Sequence, residues 1–179
     1  MQHCSDNSAD RALGAFWERQ FCKLAARHGL VFSPMQLGKG DSATAFWLSG
    51  QKWNHLTLPD VTVWTAPGQH HEIKHKNPTR SGGFGLEAYR FHALLRFAKV
   101  TGQAVLYTIH NHDLSGGRDS AVNDLRHWLT ADVRALDGKY TTAHNSSWVN
   151  GAKADGLSLY YWPTRLWQPL GDYWQGGHA

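Results

Sequence analysis

The sequence predicts an α/β (α+β) layered domain built on a mixed sheet. Three observations carry that expectation. Two segments with helical apolar spacing bracket a run of β-patterned segments, that run contains a hairpin, and the second helix leads straight into a nearly continuous apolar strand. The first helix is expected over about 10–28, where Leu13, Phe16, Trp17, Gln20, Phe21, Leu24 and His28 follow helical spacing. Ser8 and Asp10 are N-cap candidates, and Gly29 falls where a C′ glycine ends a helix.

Leu30 to Phe32 predicts a short strand stopped by Ser33-Pro34, and Ala43 to Leu48 predicts another, followed by a turn over 50–54. Asp60 to Thr65 alternates, with Val61 and Val63 on one face and Asp60, Thr62 and Trp64 on the other. Ala66-Pro67-Gly68 is a turn signal, and His70 to Lys76 is the second arm of the hairpin. On that arm Glu72 and Lys74 share a face, opposite His71, Ile73 and His75. Asn77 to Gly85 is expected as a loop. Leu86 to Val100 is the second helix, with Leu86, Tyr89, Ala93, Leu94, Phe97 and Ala98 as its apolar set, and Thr101-Gly102 ends it. Gln103 to Ile109 is a buried strand. Val122, Leu125, Leu129, Val133 and Leu136 predict a third helix. The tail from Tyr140 is β-leaning, with turns at Asn150-Gly151 and Asp155-Gly156 and its clearest strand at 157–162.

Composition narrows the function classes. The 179 residues suit one domain, with hydrophobic residues at 41% and charged residues at 18%. No apolar run approaches the roughly 20 residues of a membrane helix. The N-terminal Met1-Gln2-His3-Cys4-Ser5-Asp6 lacks the pattern of a signal peptide, and the two cysteines, Cys4 and Cys22, make no disulfide framework, so a cytoplasmic setting is expected. The formal charge of +4 permits a nucleic-acid partner without establishing one. Gly38 to Ser42 lacks the order and glycine spacing of a phosphate loop, which excludes that nucleotide-binding motif.

The most informative stretch is Leu58-Pro59-Asp60, then eleven residues, then Glu72-Ile73-Lys74. In a hairpin the two carboxylates can converge at one edge of the sheet. Two hard oxygen ligands in that relation suit Mg²⁺ or Mn²⁺. Lys74, two residues after Glu72, shares its face, so its ammonium can orient a water or offset charge in a transition state. Carboxylates, a divalent ion and a lysine are the parts phosphodiester hydrolysis needs.

At these residues the chain resembles the PD-(D/E)XK nuclease superfamily: Pro59-Asp60 and Glu72-Ile73-Lys74 fill its motif. The resemblance implies a restriction-endonuclease-like core of helix, three strands, helix, strand. It also implies Asp60 and Glu72 as ligands, with the Ile73 carbonyl beside them, and Lys74 in catalysis. Gly14-Ala15-Phe16-Trp17-Glu18 is similar to the first helix of Holliday-junction-resolvase-like members, where a glutamate joins the metal site, which adds Glu18 to the ligand set. Gly14 and Cys22, four residues either side, are small and leave that helix stripe open. The chain departs from the subgroup in one respect. Some members carry a glutamine on the second helix, and here none lies between Leu86 and Thr101, leaving Tyr89, Arg90 and His92 as the nearest substitutes.

The resemblance covers about 10–110 and implies a Mg²⁺- or Mn²⁺-dependent deoxyribonuclease leaving 5′-phosphate and 3′-hydroxyl ends. The partner it implies is DNA, with a homodimer common among resolvase-like relatives. The whole chain is read as one nuclease domain, with an aromatic-rich extension over about 111–179. Lys76, Arg80, Tyr89, Arg90 and Arg96 are candidate DNA contacts, with Lys99, Lys39 and Lys52 as further cations. The 12 His and 9 Trp are the compositional oddity. His71 and His75 face away from Glu72 and Lys74, so most histidines are expected as exposed or hydrogen-bonded groups, although His112 with Asp113 could approach the site. Trp148, Tyr160, Tyr161, Trp162, Trp167, Tyr173 and Trp174 are expected in the core or an interface. The alternatives are an inactive nuclease-fold DNA-binding module, a His-dependent transition-metal protein and a carbohydrate-binding module.

Overall fold

The structure is a computed structural model describing residues 8–34, 44–49, 52–64, 68–79, 83–111, 124–144, 148–149, 152–153 and 158–176. In chain order, α1 (Ser8–Arg27) leads to strands β1 (Phe32–Pro34), β2 (Thr44–Ser49), β3 (Lys52–Thr57), β4 (Val61–Val63), β5 (Gln69–Lys76) and β6 (Gly83–Glu87). Helix α2 (Ala88–Thr101) and strand β7 (Ala104–Asn111) follow. After a 3₁₀ turn come β8 (Trp128–Asp132), the short helix α3 (Val133–Leu136), β9 (Thr141–His144), β10 (Trp148–Val149), β11 (Ala152–Lys153) and β12 (Ser158–Pro163). The described chain ends with β13 (Gln168–Pro169) and α4 (Leu170–Gly176).

One six-stranded sheet, ordered β1-β4-β5-β7-β8-β13, organises the molecule. β5 and β7 run parallel, while the other neighbours in the sheet are antiparallel. The first helix, the three strands β1, β4 and β5, the second helix and β7 therefore form the αβββαβ core that the resemblance implied. The β2–β3 hairpin and β6 are inserted into it.

The period of two along β5 separates the two faces. On one, His71, Ile73 and His75 meet α1, with Phe21 and His71 ring centroids 4.7 Å apart and Trp17 stacked on His75 at 4.2 Å. Trp17, Phe21 and Leu24 of α1 are buried there with Val61, Val63, Trp128, Leu170 and Trp174. A polar row crosses the same face: His71 Nδ1 lies 2.8 Å from Thr108 Oγ1, which lies 3.0 Å from Thr130 Oγ1. Burial lowers the His71 pKa to about 3, so the row carries no buried charge. On the other face α2 buries Phe91, Leu94, Phe97 and Ala98 against Val105, Tyr107 and Ile109. Both helices end as expected. Gly29 has φ 69°, and the Leu30 and Gly29 amides return to the Ala25 and Ala26 carbonyls. Gly102 has φ 70° and donates to the Ala98 carbonyl.

Several expectations change. The third helix is broken up: Leu125–His127 is a 3₁₀ turn, β8 occupies 128–132, and among its described residues Val133–Leu136 alone is α-helical. Leu129 and Val133 do keep helical spacing, but β8 is flanked by β7 and β13 and covered on both faces, so sheet pairing overrides local periodicity. The expected turn over 50–54 is shorter, since β3 begins at Lys52 and pairs with β2. β6 takes the end of the loop expected over 77–85 and the first two residues of the expected second helix, and its glycines permit close approach: a Cβ on Gly83 would lie 2.8 Å from the Trp162 carbonyl oxygen. Helix α4 had no prior signal.

Residues beyond 111 extend both layers. β8 pairs with β7, and β12 lies between β6 and β9 in a three-stranded antiparallel sheet. Trp162, Trp167 and Trp174 are buried, and Trp162 Nε1 donates to the Leu136 carbonyl at 2.8 Å. Trp162→Ala is expected to cost about 3–5 kcal/mol, the range for truncating a buried large aromatic. Urea denaturation checks this. A loss within about 0.5 kcal/mol, the usual range of surface substitutions, would show that this tail does not share the core.

Candidate active site

Asp60, Glu72 and Lys74 come together on the α2 face of the sheet, as the hairpin predicts. β5 is an interior strand, so Glu72 is completely buried, and Asp60, just ahead of β4, is 5% exposed. The Ile73 amide donates to Asp60 Oδ2 at 2.8 Å, tying the first acid to the backbone of the strand that carries the second. Lys74 Nζ lies 2.7 Å from Glu72 Oε1 and 3.7 Å from Asp60 Oδ2, with 32% of its side chain exposed. A single ammonium thus reaches both carboxylates.

Arg90 closes the other side. From the first turn of α2 its Nε donates to Glu72 Oε1 at 2.9 Å and its Nη2 to Glu72 Oε2, a bidentate fork. Nη2 also donates to the Leu58 carbonyl at 3.2 Å and lies 3.7 Å from Asp60 Oδ1. Its place on the α2 stripe was a legible signal, since Arg90 stands four and eight residues before the buried Leu94 and Ala98. Tyr89, expected on the apolar stripe, is instead 66% exposed at the rim of the cleft.

The electrostatics follow from burial. Burial beside the Glu72 charge pushes the Asp60 pKa up, against Lys74, the Ile73 amide and Arg90. Burial would raise Glu72 as well, but the Lys74 and Arg90 charges outweigh it and hold that carboxyl below its usual value. Burial would lower Lys74, and the two acids overcome this and keep it protonated. Glu18 reaches the cleft from α1, and burial together with Asp60 raises its pKa to about 7.

The cleft has a volume of about 410 Å³ and is lined by Glu18, Asp60, Glu72, Glu87, Lys74 and Arg90, among others. Four acids therefore face two bases. That surplus of hard oxygen donors fits a hard divalent cation and does not fit a soft one. Among the described residues, no three His, Cys, Asp or Glu side chains are gathered closely enough to hold an ion as they stand. The oxygens are present, but Glu72 is occupied by Lys74 and Arg90.

The candidate DNA contacts divide. Tyr89 is on the rim, Arg96 is exposed on α2, and Lys76 is half-buried at the end of β5. Arg90 is 9% exposed, and its guanidinium is directed at Glu72 rather than outward. Lys99 pairs with Asp137 at 3.6 Å, and His92 bonds to the Tyr160 hydroxyl at 2.9 Å. Arg80, Lys39, His112 and Asp113 lie outside the described residues, as do the side chains of Lys52 and Trp148. The histidines near the motif belong to the framework: His70, His71 and His110 are buried and hydrogen-bonded, the second of the two expected states.

Fold and cleft together define a class: an αβββαβ domain whose central strands bring two carboxylates and a lysine to one cleft. No family model matches the chain, and no curated protein matches it in sequence. Among solved structures the chain is similar to Archaeoglobus fulgidus Hjc, a Holliday junction resolvase from an archaeal hyperthermophile. The identity is 13% and the TM-score 0.49, over 86% of this chain and 90% of that one. No described helix is long and apolar enough to cross a membrane.

Glu18 generates a pH prediction for the metal-free protein. Its folded pKa is raised from 4.5 to about 7, so the folded state binds the extra proton between those values. Stability from this group is full below pH 4.5 and is lost as pH rises through about 7. Glu18→Gln is expected to match the wild type near pH 4.5 and to exceed it above pH 7. The gain is about 1 kcal/mol once solvent screening of this half-buried group is discounted. Urea denaturation at both pH values checks it, and a difference independent of pH would contradict it.

Proposed function

We propose that the protein is a divalent-metal-dependent nuclease acting on DNA, of the PD-(D/E)XK kind. The observation that carries this reading is the convergence of Asp60, Glu72 and Lys74 in one cleft, on strands following a helix and preceding a helix and a parallel strand. Asp60 and Glu72 would hold Mg²⁺ or Mn²⁺, with the Ile73 carbonyl and Glu18 as further ligands. What a bound ion supplies there is Lewis acidity toward a phosphate oxygen and a lowered pKa for a coordinated water.

The chain's own residues do the rest. Asp60 is held by the Ile73 amide and, in the metal-free cleft, Glu72 by the Arg90 fork, so both carboxylates are in place before an ion arrives. Lys74 is protonated and partly open to the cleft, so it donates hydrogen bonds to the attacking water or to the phosphate and offsets the negative charge that grows in the transition state. Tyr89 at the rim offers a ring for a base or sugar, and Arg96 and Lys76 offer cations for flanking phosphates.

Incubating the protein with branched, linear, nicked and single-stranded DNA in Mg²⁺ or Mn²⁺ tests the reading. Cleavage should require the ion and fall by about 100-fold or more in Asp60→Ala and in Lys74→Ala, the scale for removing a group that stabilises transition-state charge. Undiminished cleavage by both variants would sink the mechanism. Ion-dependent DNA binding without cleavage of any substrate would instead favour a binding module.

A further inference from the structure

We propose that Arg90 is a built-in counter-cation that holds a bridging position between Asp60 and Glu72, and that a divalent ion gains both carboxylates only by displacing it. The proposal rests on the metal-site reading above and deepens it. The geometry offers two bridges between the acids. Lys74 Nζ spans Glu72 Oε1 and Asp60 Oδ2 at 2.7 and 3.7 Å. Arg90 Nη2 spans the other two oxygens, bonded to Glu72 Oε2 and 3.7 Å from Asp60 Oδ1.

Every Glu72 oxygen is therefore already met by a cation, and Glu72 has no exposed surface through which another ligand could approach. A divalent ion placed on both acids would sit beside one of these cations, and like charges at such distances in a buried cleft repel strongly. Arg90 is the one positioned to yield. Its Nη2 already donates to the Leu58 carbonyl at 3.2 Å, so it can leave Glu72 Oε2 and keep an acceptor. Lys74 is partly solvated on the open side and is not in the way of the Asp60 Oδ1 and Glu72 Oε2 pair.

Two consequences follow. The metal-free cleft holds two buried acids neutralised by two bases, so this part of the fold forms without an ion. Ion affinity is lower than the donor set alone would give, because binding must break a bidentate fork. Arg90 is thus a positioning residue acting through Glu72 and not itself a ligand.

The test is Mn²⁺ binding to the protein alone, without DNA, by titration calorimetry, with urea denaturation of the same samples. Arg90→Gln is expected to lower metal-free stability and to tighten Mn²⁺ binding roughly tenfold or more, as removal of a neighbouring like charge requires. Arg90→Lys keeps the charge without the fork and should fall between. If Arg90→Gln fails to fold without metal, refolding on Mn²⁺ addition supports the proposal. Equal or weaker Mn²⁺ binding by Arg90→Lys then overturns it. A folded Arg90→Gln that binds Mn²⁺ no more tightly than wild type overturns it directly. If Asp60→Asn still weakens Mn²⁺ binding in that case, the metal-site reading stands and only the role of Arg90 falls. If neither wild type nor Arg90→Gln binds Mn²⁺, both fall together.

Discussion

A carboxylate with no solvent exposure, Glu72, stands on an interior strand of the sheet, and much of the architecture answers to that burial. An isolated charge there would be prohibitively costly, and an unpaired one would protonate. The protein supplies a guanidinium from α2 and an ammonium from the next outward position on the same strand. The first requirement fixes where α2 begins, because Arg90 must stand over Glu72 from the helix's first turn. The second fixes the register of the motif, since only a residue two positions away shares the face. Asp60 joins through the Ile73 amide, and its loop is held by the bond from Arg90 to the Leu58 carbonyl. Helix, hairpin and loop meet at one carboxylate.

Much of this was readable from residue order alone. Asp60, Glu72 and Lys74 lie on segments with clean alternation, so their common face followed from the period of two. Gly29 and Gly102 marked helix ends because both positions need φ above zero. What misled was periodicity without context. Val122 to Leu136 has helical spacing, yet the strand at 128–132 owes its state to partners distant in sequence. Gly83 and Gly85 read as loop residues, yet their lack of a side chain admits Trp162 and Tyr161. Arg90 was noticed as a DNA-contact cation and as one of three substitutes for the subgroup's second-helix glutamine, not as the partner of Glu72. Its inward direction depended on which residues of α2 face the sheet. The expected apolar set shares Leu94, Phe97 and Ala98 with the buried face of α2, but it placed Tyr89 there and left out Arg90 and Phe91.

The histidine and tryptophan excess also acquires a physical account. Trp17 lies over His75 at 4.2 Å and over His110 at 4.1 Å, and these two are paired residues of the parallel strands β5 and β7. An indole spanning two imidazoles covers both strands while leaving ring nitrogens able to bond, as His75 Nδ1 and His110 Nδ1 do at 3.1 Å. His71 serves the same surface through Thr108, and Phe21 packs on it. Imidazole suits this face because it is flat enough to pack against aromatic rings yet satisfies a polar position when neutral.

That packing bears on the cleft through Glu18. The helix carrying Trp17 carries Glu18 as its next residue, so seating the indole on His75 and His110 fixes where the neighbouring carboxyl emerges. It lines the same cleft as Asp60, Glu72 and Lys74, although α1 packs on the opposite face of β5. Asp60 stands just ahead of β4, which is only Val61–Val63. An acid from α1 thus joins two carboxylates of the α2 face in one cleft. Trp17 and its histidines seat the helix on the sheet, and the aromatic face thereby positions a charge at the cleft.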